Sequence, residues 1–199
     1  MHYMSESATT RAGRRQATSY RISVCAQVLT EDKGLDGFTM DELAEAAGVS
    51  RRTLFNYYPG KLDAVLGDPP ALSEEALERF RSRGPGSDLV EDLRELGHGL
   101  MDEQKFSRED VARTRRLLLV SPRLLAAAHG RFLVATGEIV EEIRDREGAA
   151  FDALRAQVAV RLLCAVFDAA LDSFLADPDG RPLSETFDDV LRAARDLFA

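Results

Sequence analysis

The chain has 199 residues, 45% of them hydrophobic, and a formal net charge of −8, which is enough apolar content for one large domain or a small one joined to a medium one. No stretch approaches the roughly 20 consecutive apolar residues of a membrane span, and the opening MHYMSESATTRAGRR lacks a secretory apolar run, so a membrane role is not expected and a cytoplasmic location is. Cys25 and Cys164 are the only cysteines and lie far apart inside apolar helical patterns, which argues against a disulfide framework or a thiolate metal site.

The acidic balance speaks against nucleic acid as a partner until the charge is placed along the chain. Residues 1–66 carry eight basic and eight acidic side chains, leaving 18 basic and 26 acidic ones behind them. Residues 11–21 hold four arginines and no acid, and 51–61 hold Arg51, Arg52 and Lys61 and no acid. Two local basic stripes therefore survive in an acidic protein. Only three of the 26 basic residues are lysines, so the position of an arginine is more informative than the number of them.

Apolar residues recur at helical spacing almost throughout, with no sustained alternation of the strand kind, so the fold class is all-α with about nine helices. Residues 1–13 read as a disordered basic arm. The first helix runs from about Arg14 to Thr30, with Ile22, Val24, Cys25, Val28 and Leu29 inward. Thr39 followed by Glu42 is a capping box opening the second helix, whose inner face is Leu43, Ala44 and Ala47. Gly48 ends it, Val49 is a small apolar plug, and Ser50 caps a third helix from Arg51 to Tyr58, stopped by Pro59-Gly60. A fourth starts near Lys61 and breaks at Gly67-Asp68-Pro69-Pro70. Ser73 then caps a short charged piece that ends at Gly84-Pro85-Gly86, and five helices follow from about Asp88 to the end. The domains expected are a head over 14–66, a connecting segment over 67–86 and a body over 87–199.

Residues 39–58 fit a helix-turn-helix: Ala44 is small enough for a tight crossing, Gly48 makes the turn, and Leu54 and Tyr58 anchor the second helix inward. The helical period then turns Arg51, Arg52, Thr53 and Asn56 outward as candidate base contacts. Arginine can grip guanine, and asparagine adenine, through paired hydrogen bonds. Arg14, Arg15, Thr39, Ser50, Tyr57 and Lys61 are candidates for phosphate, which would fix register without reading sequence.

The run FTMDELAEAAGVSRRTLFNYYPGKLDAVL resembles the head of the TetR family of regulators, over about residues 14–66. The resemblance implies a three-helix head, a helical C-terminal bundle that pairs into a homodimer, and release from a two-fold symmetric DNA operator when a small-molecule effector binds. It also implies two departures. Phe55 stands where the family often has a phosphate-touching tyrosine, and Gly60 where a serine or threonine cap is common. The GVSRRTLFNYYPGK variant is similar to an actinobacterial subgroup described as binding acyl-CoA-like ligands.

In the body, the helix from Phe151 carries two apolar series, one through Leu154, Val158, Leu162, Ala165 and Ala169 and the other through Val160, Leu163, Phe167, Leu171 and Phe174. A helix apolar on two sides is buried on two sides. Val158, Leu162, Ala165 and Ala169 of the first series, with Val190 and Ala194 of the last helix, are the candidate dimer face, although an intramolecular core would show the same pattern. Leu96, Leu100, Arg116, Leu125, Phe132 and Thr136 are candidates for an effector pocket, and a plain core is the competing account of them. His98 and His129 have no ligand-spaced partners, and no metal or cofactor is expected. No nucleophile-and-base set, phosphate-cradling loop or GxGxxG is present, so an enzyme is not expected. An effector-independent DNA-binding protein and a helical protein-binding adaptor remain the alternatives.

Overall fold

The computed structural model describes residues 3–69, 71–84, 87–104, 107–148, 150–177 and 179–198; Pro70, Pro85 and Gly86 of the expected breaks lie outside them. These residues form ten α-helices and no strand: α1 Tyr3–Lys33, α2 Met40–Ala46, α3 Arg51–Tyr57, α4 Lys61–Leu66, α5 Glu74–Arg83, α6 Leu89–Gln104, α7 Arg108–Val120, α8 Pro122–Glu147, α9 Ala153–Ala176 and α10 Leu183–Phe198. No single helix among them is long and apolar enough to cross a membrane. The chain divides into two compact units, one of residues 1–69 and 113–129, the other of 70–112 and 130–199.

The first unit is built on α1, which packs against α2 and α4. Its helix begins at Tyr3, so the segment expected to be a disordered arm is helical instead; nothing between Tyr3 and Arg14 breaks a helix except the tolerated Gly13. Ile22 and Ala26 are fully buried, whereas Val28, expected inward, is exposed. The other buried positions of α1 are polar: Ser19, Ser23, Gln27 and Thr30. Each has a partner, as a buried polar group requires. Gln27 donates to the Val65 carbonyl at 3.0 Å and Thr30 to the Ala26 carbonyl at 2.7 Å. Leu117 of α7 and Leu124 of α8 complete the apolar core with Leu35, Phe38, Leu43 and Leu54. Arg116 and Arg123 pair with Glu31 and Asp36 at 2.9 and 2.8 Å.

In the second unit α9 packs on α10, and α6 on both α5 and α10. Phe187 is fully buried and lies against Gly97, where an added Cβ would meet its ring at 3.0 Å. Only glycine allows α6 to approach that ring so closely. Arg94 holds the Asp188 carboxylate with two hydrogen bonds of 2.7 and 3.0 Å, and His98 Nε2 lies 2.8 Å from the same group. The hydrogen bond from Arg94 holds the Asp188 carboxyl below its usual value. Both cysteines are free thiols, and burial pushes that of Cys164 up.

Candidate nucleic-acid interface

The helix pair α2–α3 is positioned by local chemistry. Thr39 accepts the Glu42 backbone N–H at 3.2 Å, and the Glu42 carboxylate accepts the Thr39 backbone N–H at 2.7 Å, closing both halves of the capping box. That backbone donor, helped by Lys33, holds the Glu42 carboxyl below its ordinary value. Gly48 turns the chain at φ +62°, a conformation an L side chain rarely adopts. Ser50 then caps α3 by accepting from Thr53 N at 3.0 Å.

With both ends set, α3 presents two faces. Leu43, Ala44, Ala47, Leu54 and Tyr58 are buried, with Val49 and Tyr57 partly buried against the same core. Arg51, Arg52, Phe55 and Asn56 are exposed, and Thr53 is half-buried with its hydroxyl on Ser50 Oγ at 2.7 Å. An exposed arginine and amide set on a short helix, held by a buried opposite face, has the form of a helix that reads base edges.

The Tyr58 hydroxyl ends in a buried polar knot. It lies 2.6 Å from Ser19 Oγ and 3.0 Å from Ser23 Oγ, and Ser19 donates to Asp68. Burial raises the Tyr58 phenol above its ordinary value. The knot joins α3 to α1 and to the chain just beyond α4. Tyr58→Phe keeps the ring and removes the hydroxyl, and is expected to lower stability by about 1–2 kcal/mol. An unchanged urea midpoint would show that the knot contributes nothing.

The phosphate candidates are dispersed around this helix pair. Arg14 is exposed on α1. Arg15, on the same helix, lies with its guanidinium carbon 5.2 Å from the Tyr57 ring centre. The Lys61 ammonium donates to the Phe38 carbonyl at 2.7 Å and sits over the Phe38 ring. Lys61 thus also supports the entry to α2, a local role that its sequence position did not suggest.

Residues 26–65 match the family described as bacterial regulatory proteins, tetR family. Over those residues, α2 and α3 included, the chain is similar to that family. The chain is 31% identical over 94 residues to the HTH-type transcriptional regulator CymR of Pseudomonas putida, covering 45% of the chain and 46% of CymR. It is 28% identical over 174 residues to MftR, a mycofactocin biosynthesis transcriptional regulator of Mycobacterium tuberculosis, covering 84% of the chain and 85% of that relative. It also aligns with Thermus thermophilus FadR, solved with lauroyl-CoA, at 24% identity and a TM-score of 0.45 over 87% of this chain and 91% of that one.

The candidate effector residues do not gather in one unit. Arg116 and Leu125 belong to the first, Arg116 bound to Glu31 and Leu125 exposed. Leu96, Leu100, Phe132 and Thr136 belong to the second. There Leu96 is buried and Phe132 exposed, while Thr136 bonds back to the Phe132 carbonyl at 2.8 Å. Leu96 does line a cavity of about 230 Å³ between α5 and α6, but its other walls include Arg79, Arg83, Asp92, Glu95 and Asp102. On α9 the two apolar series part company. Val160 and Phe174 are buried, whereas Val158, Leu162, Ala165 and Ala169 are exposed. Val190 and Ala194 are partly buried against the core of α9 and α10 instead.

Proposed function

We propose that this protein is a homodimeric, sequence-specific transcriptional repressor that binds a two-fold symmetric operator through α3 and leaves it when a small molecule binds the body. The observation that carries this reading is the two-faced α3, with Leu54 and Tyr58 buried behind Arg51, Arg52 and Asn56. The domain division proposed is a head over 14–66, a connecting segment over 67–86 and an effector and dimerisation body over 87–199. In the major groove, Arg51, Arg52, Thr53 and Asn56 contact base edges, while Arg14, Arg15, Thr39, Ser50, Tyr57 and Lys61 contact the backbone. Fluorescence anisotropy with duplexes from the DNA flanking its own gene tests the reading. Saturable binding that survives excess random duplex supports it, and equal affinity for all sequences defeats it.

Pairing of two copies is supported by the exposed stripe on α9, where Leu154 is 63% and Leu162 50% exposed. A stripe of this kind on a long helix suits an isologous interface, in which the same patch meets itself. Leu162→Asp places a charge there without disturbing the protomer core, and is expected to weaken dimerisation at least about 100-fold. Sedimentation equilibrium reads the result; an unchanged dissociation constant removes α9 from the interface.

The effector is proposed to be hydrophobic, with acyl-CoA thioesters as the first class to test. Leu96, Leu100, Phe132 and Thr136 supply the side chains, and the sequence variant at residues 48–61 supplies the class. A thermal-shift panel separates a sensor from a constitutive DNA binder, because a ligand selective for the folded state raises the melting temperature.

A further inference from the structure

Phe55 is the residue at which α3 departs from the family pattern, and the structure shows what it touches. The Arg51 guanidinium carbon lies 5.6 Å from the Phe55 ring centre, one helical turn away. From the other helix of the pair, Asp41 Oδ2 accepts Arg51 Nη1 at 3.0 Å. Both partners of that ion pair are well exposed, at 66% and 62% of the side chain, so it adds little to the stability of the fold. Its effect is geometric. A ring face on one side and a carboxylate on Nη1 confine a side chain that is otherwise free to rotate, and they leave the Nε–Nη2 edge for a second pair of acceptors.

We infer that Asp41 and Phe55 are positioning residues that hold Arg51 for two-bond recognition of a guanine, and that Asp41 exchanges general affinity for selectivity. The inference rests on the reading of α3 proposed above. Guanine offers paired acceptors, N7 and O6, at the spacing of a guanidinium edge. An arginine held before contact loses less freedom on making those bonds. The Asp41 carboxylate also cancels the charge of Arg51 towards phosphate, which lowers binding to any sequence. Arg52, exposed beside it, has no ion-pair partner among the described residues.

Asp41 lies in the first turn of α2, where an acid is favoured for helix stability alone. The test therefore reads base preference. The full-length protein and its variants select from a pool of random duplexes, and the preference at each half-site position is compared. Wild type is expected to select a guanine that Arg51→Ala no longer selects. Asp41→Asn and Phe55→Leu should weaken that preference about 2- to 10-fold, at the low end of couplings between contacting residues, leaving other positions unchanged. Asp41→Asn should also bind random duplex more tightly, and Phe55→Tyr, which keeps the ring, should retain the guanine. If Arg51→Ala loses the guanine while Asp41→Asn and Phe55→Leu keep full preference for it, the positioning role is overturned. If Arg51→Ala itself keeps the guanine, the proposed reading of α3 falls and the positioning role with it.

Discussion

Replacing Arg51 and Asn56 together by alanine is expected to weaken operator binding by about 2–6 kcal/mol, since each two-bond base contact contributes about 1–3 kcal/mol of discrimination. That corresponds to roughly a 30-fold to 20,000-fold loss. Both side chains are exposed and neither is part of the core around Leu54, so folding and dimerisation should be unaffected. Binding to random duplex should fall much less, because its strength comes mainly from phosphate neutralisation. Anisotropy titrations with operator and random duplex, at several salt concentrations, separate the two terms. Operator affinity like that of wild type in the double variant would remove α3 from the reading role.

The second large effect is one of stability. Arg146 is fully buried and Asp92 is 3% exposed, and the two form an ion pair inside the second unit. Arg146 also donates to the Phe80 carbonyl at 3.1 Å and to Ser87 Oγ at 2.5 Å, while Arg83 holds the other Asp92 oxygen at 2.5 Å. Removing one partner of such a pair leaves a buried charge without compensation, at a cost of about 3–5 kcal/mol. Arg146→Met is expected near the lower figure, because Arg83 and Ser87 still reach Asp92. Adding Asp92→Asn should recover part of the loss, which urea denaturation would show; no recovery would mean that packing around Arg146, and not the charge, is what matters.

The same pair sets an acid limit. Burial alone would raise the Asp92 carboxyl, but hydrogen bonds from Ser87 and Arg83 and the charge of Arg146 outweigh it and hold the group below its ordinary value. A carboxyl lowered in the folded state stabilises fully above its unfolded value, and that contribution is lost as pH falls through the folded one. Without Arg146 the folded value rises and the contribution shrinks. Acid unfolding of Arg146→Met should therefore begin at a higher pH than that of wild type.

The head was legible in the sequence because its determinants are local. Thr39 and Glu42, Gly48, and Ser50 act within three or four residues of themselves, and the inward placing of Leu54 and Tyr58 follows from the helical period alone. Contacts between distant residues were not legible. Apolar periodicity puts Val28 inside α1, whereas the buried side of that helix is largely Ser19, Ser23, Gln27 and Thr30, and the first three of these bond to other elements. Phe55 read as a lost phosphate contact, because its stacking with Arg51 depends on which rotamers α3 permits.

On α9 the sequence by itself determined that two sides are apolar, and the tertiary structure decided which side the protomer covers. Residues spaced by the helical period share a face whatever surrounds them, but only the packing of the neighbouring helices determines that Val160 and Phe174 are enclosed while Val158 and Leu162 stay exposed. Likewise the sequence placed Arg51 at the start of α3. That it meets Asp41, ten positions earlier in the chain, was decided by the turn at Gly48, which brings the starts of α2 and α3 within reach of one ion pair.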